Sequence, residues 1–275
     1  MPYSAEISRA NPSCFQFLID RSGSMFETFG GKTKADAVAD AINRLLQNLT
    51  IKCAKSEGVR DYYEVGVIGY GSKVGPAFGG PLAGRHLVPI SQVAQAPTRV
   101  EERVKKVSDG AGGLVDQKIK FPIWFEAVAS GGTLMSEAFR QAFVVLQDWI
   151  EKHPKAYPPI VINITDGEST DGDPAPNAAA LTSLETADGN VLLFNCHISA
   201  DSATPILFPA DEGVLSDDFA RMLFRMSSDL PERLGQAARA EGMKIGPYAR
   251  GFVFNADLVE LIRFLDIGTR PSNLR

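Results

Sequence analysis

Cysteine and histidine are scarce in this chain of 275 residues, which has only three of each. An odd number of cysteines without a C-x-x-C spacing argues against a disulfide framework and against a zinc knuckle, so we expect three buried thiols. They are Cys14, Cys53 and Cys196. No histidine accompanies a hydrolase motif such as G-x-S-x-G. Because no catalytic constellation stands out, we expect that the chain is not an enzyme.

A strong charge of one sign and a long apolar run are also missing. The chain has 28 basic and 33 acidic side chains, a net charge of −5, which gives no reason to expect nucleic acid as a partner. No apolar run approaches the roughly 20 residues that span a bilayer, and the first residues do not resemble an export signal. We therefore expect a cytoplasmic protein with no membrane span.

Short apolar runs alternate with amphipathic patterns along the whole chain. The runs predict strands at 14–19, 62–70, 160–164, 191–196 and 252–254. The patterns predict helices at 33–49, 134–149, 174–184 and 230–241, and a last helix capped by Asn255. This alternation predicts an α/β fold, a three-layer α/β/α sandwich with a mainly parallel central sheet.

Two less regular segments interrupt this pattern, at about 71–126 and at 199–230. Glycine and proline at 71–84 favour an edge hairpin, and the charged segment at 97–120 predicts a helical turn or two that ends at the glycines of 110–113. No segment is rich enough in proline or serine to act as a linker. We therefore expect one domain over residues 1–275, with these two segments as insertions.

Side chains with oxygen atoms follow two predicted strands and precede one predicted helix. Asp20, Ser22 and Ser24 come after the first strand, Asp166 follows strand 160–164, and Thr133 lies in a glycine-rich turn that we expect to cap a helix. Ligands of open parallel sheets bind at the carboxyl ends of the strands, so we expect the five to gather. Their oxygen atoms are of the kind that Mg²⁺ prefers, and Mn²⁺ or Ca²⁺ also accepts them.

The nearby acidic residues are interpreted differently. Only Asp166 stands at the end of a strand, whereas Glu168, Asp171 and Asp173 are predicted to be turn and cap residues. If one carboxylate binds the cation directly and the hydroxyls stay neutral, the site keeps a positive charge and a replaceable water. A Glu or Asp carboxylate from outside can take that place.

The five residues, in this order and on these elements, resemble the metal-ion-dependent adhesion site of von Willebrand factor type A (VWA) domains. The segments FLIDRSGSM, ASGGTLMSEAF and VINITDGEST resemble the same motifs in intracellular bacterial VWA proteins, including those linked to tellurite resistance. The resemblance implies that Asp20, Ser22 and Ser24 hold the metal. It implies that Thr133 coordinates it directly in the ligand-competent arrangement and that Asp166 acts mainly through water.

The resemblance also implies a function. A VWA domain of this kind is a metal-dependent protein-interaction module, in which an acidic residue of a partner protein completes the coordination of Mg²⁺. The expected setting is a bacterial stress-response or signalling complex. The expected partners are an AAA+ ATPase, a kinase or a phosphatase.

A nucleotide-binding, NTP-hydrolysing enzyme that uses Lys32 and Asp166 is the alternative. The segment GGKT at 30–33 lies between a strand and a helix, and Asp166 ends an apolar strand, as an Mg²⁺-binding aspartate does in such enzymes. However, a phosphate-binding loop needs a glycine at position 26, where this chain has Phe26. This departure favours a simple turn at 30–33.

Overall fold

A computed structural model describes residues 3–108, 113–200 and 204–269. Its main strands are β1 (Ser13–Asp20), β2 (Tyr63–Tyr70), β3 (Val74–Pro76), β4 (Val88–Pro89), β5 (Arg99–Ser108), β6 (Leu114–Ile123), β7 (Ile160–Thr165), β8 (Leu192–Ile198), β9 (Ile206–Leu207) and β10 (Phe252–Ala256). Its helices are α1 (Lys34–Cys53), α2 (Ile90–Gln95), α3 (Met135–Lys152), α4 (Ala175–Ser183), α5 (Asp218–Met226), α6 (Glu232–Ala240) and α7 (Leu258–Gly268).

Shorter elements complete the list. Three hairpins of two-residue strands pair Thr28–Phe29 with Lys32–Thr33, Ala54–Lys55 with Gly58–Val59, and Glu185–Thr186 with Gly189–Asn190. Single 3₁₀ turns lie at Gly23–Phe26, Gly80–Leu82 and Glu212–Val214.

Eight strands form the central sheet, in the order β9-β10-β8-β7-β1-β2-β3, with β4 also paired to β2. Strands β10, β8, β7, β1 and β2 are parallel, and the strands at the edges are antiparallel. Every residue of β1 is buried, as expected for a strand covered on both faces. Phe15 and Phe17 pack in a core with α1 and α7, whereas Cys14 and Leu18 pack in a second core with α3 and α4. The predicted three-layer α/β/α sandwich with a mainly parallel sheet is therefore confirmed.

The strand order places a crevice between β1 and β7. From β1 the chain continues to β2 on one side, whereas β7, β8 and β10 follow on the other side. A doubly wound sheet reverses its order at this point, and ligands bind at the carboxyl ends of the two central strands. Ile19 pairs with Ile164, so Asp20, the next residue, and Asp166, two residues after Ile164, lie at the mouth of the same crevice.

Most of the predicted elements are present, and their ends differ by a few residues. The largest difference is in α1, which continues to Cys53 because Leu49 and Cys53 are both buried. The predicted edge hairpin after β2 is formed by β3. The three cysteines are free and buried, as expected. Within the described ranges, every helix is too short or too polar to cross a membrane.

The prediction of a helical turn at 97–120 is wrong, because this segment forms an antiparallel hairpin of β5 and β6. Arg103 of β5 pairs with Asp40 of α1 at 2.8 Å, and within the hairpin its guanidinium lies 3.8 Å from the centre of the Phe121 ring of β6. Valine favours strands, but the spacing of Val100 and Val104 by four residues also suits a helix, and the many charges obscured the strand signal. The predicted break at 110–113 lies, except for Gly113, outside the described residues.

The predicted cap of the last helix is also wrong. Asn255 lies within β10 and has a positive φ of 53°. The cap is Asp257, whose Oδ1 accepts hydrogen bonds from the backbone N–H groups of Val259 at 2.8 Å and Glu260 at 2.9 Å. Aspartate and asparagine cap helices about equally well, so the residue type alone does not select between Asn255 and Asp257. The strand continues two residues further than the apolar pattern indicated, and this places Asp257 at the start of the helix. Helix α5, capped by Asp217, was not predicted.

Candidate metal centre

Asp20 ends β1, and its carboxylate is buried at the mouth of the crevice, with only 1% of the residue exposed. Its Oδ1 accepts a hydrogen bond from the backbone N–H of Ser22 at 2.8 Å, and its Oδ2 accepts one from the Thr165 hydroxyl at 2.7 Å. Burial raises the pKa of Asp20 to about 6, because the charged form loses its hydration. Across the described ranges it forms no ion pair. A cation bound here would supply the missing countercharge.

A chain of hydrogen bonds leads from Asp20 to Asp166. The Ser22 hydroxyl lies 2.9 Å from the Ser24 hydroxyl, which donates to Oδ1 of Asp166 at 2.7 Å. The side chain of Asp166 is fully buried. The structure therefore brings together four of the five residues that the sequence singled out, from loops that are more than 140 positions apart.

Thr133 is 5% exposed and lies on a loop that is tied to both of the other loops. The carbonyl of Gly131 accepts a hydrogen bond from the N–H of Gly23 at 2.9 Å. The N–H of Thr133 donates to the Thr170 hydroxyl, and the carbonyl of Thr133 accepts from the N–H of Thr170, both at 2.9 Å. A Cβ placed on Gly167 would lie 4.0 Å from the Thr133 hydroxyl. The fifth residue is thus held beside the segment that follows Asp166.

Thr133 does not cap α3, contrary to prediction. Leu134 holds the cap position and provides no side-chain hydrogen bond. Instead, the carboxylate of Asp171 accepts hydrogen bonds from the N–H groups of Ser136 at 3.0 Å and Glu137 at 2.9 Å. Asp171, one of the three acidic residues that we expected to be turn and cap residues, thus caps a helix that precedes it in the chain. The Thr133 hydroxyl is left available to the site.

Lys34 is the residue at this site that sequence reasoning missed. Its ammonium group donates to Oδ2 of Asp166 at 2.8 Å and to Oε2 of Glu27 at 2.6 Å, and its side chain is 5% exposed. Burial lowers the pKa of Lys34, but the hydrogen bonds to both carboxylates outweigh this effect, so its pKa is raised. As the first residue of α1, it shows no local signal of burial, because its two partners come from other segments.

Lys32, which the alternative hypothesis requires, pairs with Asp40 of α1. The glycines before it, Gly30 and Gly31, have positive φ angles of 58° and 88° and form the two-residue turn of a hairpin. Two consecutive residues with positive φ are typical of a tight hairpin turn. The interpretation of 30–33 as a turn is confirmed, and the lysine that contacts Asp166 is Lys34.

His197, at the end of β8, lies beside the loop that carries Asp166. Its ring stacks on Phe254 at 4.7 Å, and its Nδ1 accepts from the N–H of Asn255 at 3.4 Å. Burial lowers the pKa of His197 to about 4, so the ring is neutral at pH 7. Among the described residues, Lys34 is thus the cation in direct contact with a carboxylate of this site, that of Asp166.

The donor chemistry of the site fits a hard divalent cation. It offers two carboxylates and three hydroxyls, all oxygen ligands of the type that Mg²⁺ and Mn²⁺ accept. Over the described ranges, no group of three or more His, Cys, Asp or Glu side chains is arranged to hold a metal. The proposed ligand set falls outside that type of cluster because hydroxyls form most of it.

No protein-family model matches the sequence, and no curated protein matches it significantly. Similar solved structures include the pilus adhesin SpaC of Lactobacillus rhamnosus GG, with 14% identity, a TM-score of 0.46, and coverage of 94% of this chain and 30% of that one. The ArnB paralog VWA2 of Sulfolobus acidocaldarius has 14% identity, a TM-score of 0.38, and coverage of 72% and 37%. The manganese-loaded TRAP protein of Plasmodium vivax has 13% identity, a TM-score of 0.41, and coverage of 93% and 72%.

This chain therefore spans about a third of the length of the first two of these proteins. At such low identities and TM-scores, we assign the fold from the strand order and the two covered faces of the sheet. It is a doubly wound, three-layer α/β/α sandwich.

Proposed function

We propose that this chain is a VWA-type, metal-dependent protein-interaction module and not an enzyme. A divalent cation, Mg²⁺ in the first place and Mn²⁺ or Ca²⁺ as substitutes, is held by Asp20, Ser22 and Ser24, with Thr133 and Asp166 completing the set. The observation that carries the proposal is the buried, uncompensated carboxylate of Asp20, which is linked to Asp166 at the crevice through the backbone N–H of Ser22 and the hydroxyls of Ser22 and Ser24.

The residues of the site have separate roles in this proposal. Asp20 supplies a negative charge that no other side chain neutralises in the described ranges. The serine and threonine hydroxyls supply neutral oxygen atoms, so they do not cancel the charge of the cation. The cation, when bound, supplies a Lewis-acidic position that attracts a carboxylate. An acidic side chain of a partner protein is the ligand that this charge distribution favours.

The surface around the site suits a protein partner. Ser24 is exposed at the rim, and Phe26, two residues further on, has 75% of its surface exposed. The neighbouring Met25 is buried and anchors the 3₁₀ turn that carries Phe26. Aromatic side chains, phenylalanine included, are enriched in protein–protein interfaces relative to the rest of the surface. We propose that the partner places an apolar side chain against Phe26 and an acidic one at the site.

We propose a bacterial, cytoplasmic setting in a stress-response or signalling complex. An AAA+ ATPase, a kinase or a phosphatase is the kind of partner that the motifs suggest. The alternative, an NTP-hydrolysing enzyme, gains no support from the contacts of Lys32, which pairs with Asp40.

A pull-down with the full chain as bait tests the function. We expect that EDTA, Asp20→Ala and Thr133→Ala each lower the amount of retained partner at least tenfold, because each removes the cation or a ligand to it. Lys32→Ala is the matched control, and we expect it to retain the partner as the wild type does. Mass spectrometry of the bound proteins provides the measurement.

Two outcomes would count against this proposal. Retention of the same partner in EDTA would exclude a role for the metal in binding. Hydrolysis of ATP by the purified chain, lost in Lys32→Ala, would favour the enzyme instead.

A further inference from the structure

The two carboxylates of the site differ in their electrostatic surroundings. Both oxygens of Asp166 have partners, since Ser24 donates to Oδ1 and Lys34 donates to Oδ2. In the part of the chain that the structure describes, Asp20 accepts hydrogen bonds from neutral groups only. The charge of Asp166 is therefore compensated within the protein, whereas the charge of Asp20 is not.

The ion pair of Lys34 and Asp166 is buried. The side chain of Lys34 is 5% exposed and that of Asp166 is fully buried, so solvent screens their interaction weakly. Glu27, the second partner of Lys34, is 62% exposed, and water screens its charge much more. Lys34 thus acts at the site as a fixed positive charge. Glu27, its exposed partner, offsets this charge only in part.

A fixed cation beside the site affects a second cation in two ways. It repels the incoming metal, and it occupies the carboxylate that would otherwise attract that metal. The metal therefore meets about one negative charge instead of two, and the loaded site keeps a positive charge for the carboxylate of a partner.

We infer that Lys34 is a built-in counter-cation that weakens divalent-metal binding and keeps the loaded site electropositive. This inference rests on the proposed function. Glu27 completes the device, because it gives Lys34 a hydrogen-bond partner when a metal draws Asp166 away. The backbone supports this arrangement, since the N–H of Lys34 donates to the carbonyl of Glu27 at 2.9 Å and closes the segment between them.

Titration of the full chain with Mn²⁺ by calorimetry tests the inference. Lys34→Met removes the charge but keeps an unbranched side chain with good helix propensity. We expect it to bind Mn²⁺ at least tenfold more tightly than the wild type. We also expect its melting temperature in EDTA to fall, because Asp166 is left buried without a countercharge, and the rise on adding Mn²⁺ to be larger.

Two further variants complete the experiment. Lys32→Met removes a positive charge two residues away that is paired with Asp40, and we expect its Mn²⁺ affinity to stay within twofold of the wild type. Glu27→Gln leaves Lys34 less compensated at an exposed position, so we expect about threefold weaker Mn²⁺ binding. If Lys34→Met does not fold, Glu27→Gln decides: weaker binding supports the inference, and unchanged binding overturns it.

The failure of the inference is distinguishable from the failure of the function. If the wild type binds Mn²⁺ and Lys34→Met binds it equally or more weakly, the inference is overturned and the proposed function stands. If neither the wild type nor any variant binds Mn²⁺, the proposed function fails, and the inference fails with it.

Discussion

Asp20→Asn is expected to weaken Mn²⁺ binding at least a hundredfold and, at the same time, to stabilise the metal-free protein. Asparagine has nearly the same shape and keeps an oxygen for the N–H of Ser22. Its amide donates to the Thr165 hydroxyl, which turns its own proton to the carbonyl of Gly167, 3.0 Å away. The loss of affinity follows from the loss of the uncompensated charge. The gain in stability follows because a buried charge without a partner disfavours folding.

The sign and the size of the stability change follow from the raised pKa. A pKa of about 6 instead of 3.8 means that the ionised carboxyl costs the fold at most ~3 kcal/mol, and we expect ~1–3 kcal/mol to be recovered at pH 7. A carboxyl group whose pKa is raised by folding lowers the free energy of unfolding at pH values above that pKa. The difference in the free energy of unfolding between Asp20→Asn and the wild type therefore narrows as the pH falls from 7 through 6 towards 4.

Denaturant unfolding in EDTA measures this stability change, and calorimetry measures the Mn²⁺ affinity. Asp148→Asn, at an exposed position of α3, is the matched control and is expected to change neither quantity. If Asp20→Asn binds Mn²⁺ as the wild type does, Asp20 is not a ligand.

Gly131→Ala is expected to lower the free energy of unfolding by about 2–4 kcal/mol and the Mn²⁺ affinity at least tenfold. Gly131 has a φ of 82°, and an added Cβ would lie 2.5 Å from the backbone N and Cα of Ser72. The left-handed conformation alone costs a non-glycine residue about 1–2 kcal/mol. To relieve the clash, the loop must move, and it carries Thr133 and the carbonyl that binds Gly23.

Gly75→Ala is the control for this substitution. Gly75 lies in the edge strand β3, and an added Cβ there would meet no atom within 4 Å. We expect its stability to stay within about 0.5 kcal/mol of the wild type. Wild-type Mn²⁺ affinity in a folded Gly131→Ala variant would show that the loop of Thr133 does not contribute to the metal site.

The layers of the fold were predictable because the local pattern of apolar residues indicates which strands are covered by helices. A strand such as Phe15–Ile19 is apolar on both faces, and that pattern alone indicates a parallel strand covered by helices. Asp20 and Asp166 both follow parallel strands, and the carboxyl ends of parallel strands meet at one edge of the sheet, so the sequence also located these two residues. Hairpin β5–β6 was missed because its many charged side chains hide the strand pattern, and because the contact of Arg103 with Asp40 of α1 is not visible in the local sequence.

At the site, the residues at strand ends were predictable, whereas Lys34 and the cap of α3 were not. Four of the predicted residues are joined by hydrogen bonds. They were predictable because they follow strand ends, which a sequence shows well, and ligands bind at the carboxyl ends of parallel strands. Lys34 starts a helix, where a lysine is ordinarily solvated, and its burial depends on Asp166, 132 positions away. Thr133 was predicted as a cap because threonine suits that position. The N–H groups at the start of α3 instead donate to Asp171, which lies on another loop.

A crystal soaked in Mn²⁺ tests the central claim most directly, through the anomalous signal of the metal. We predict one strong peak within coordination distance of the Ser22 and Ser24 hydroxyls, next to the carboxylate of Asp20. A well-ordered crystal in which these oxygens coordinate no manganese at millimolar concentration, or in which manganese binds only elsewhere, would contradict it.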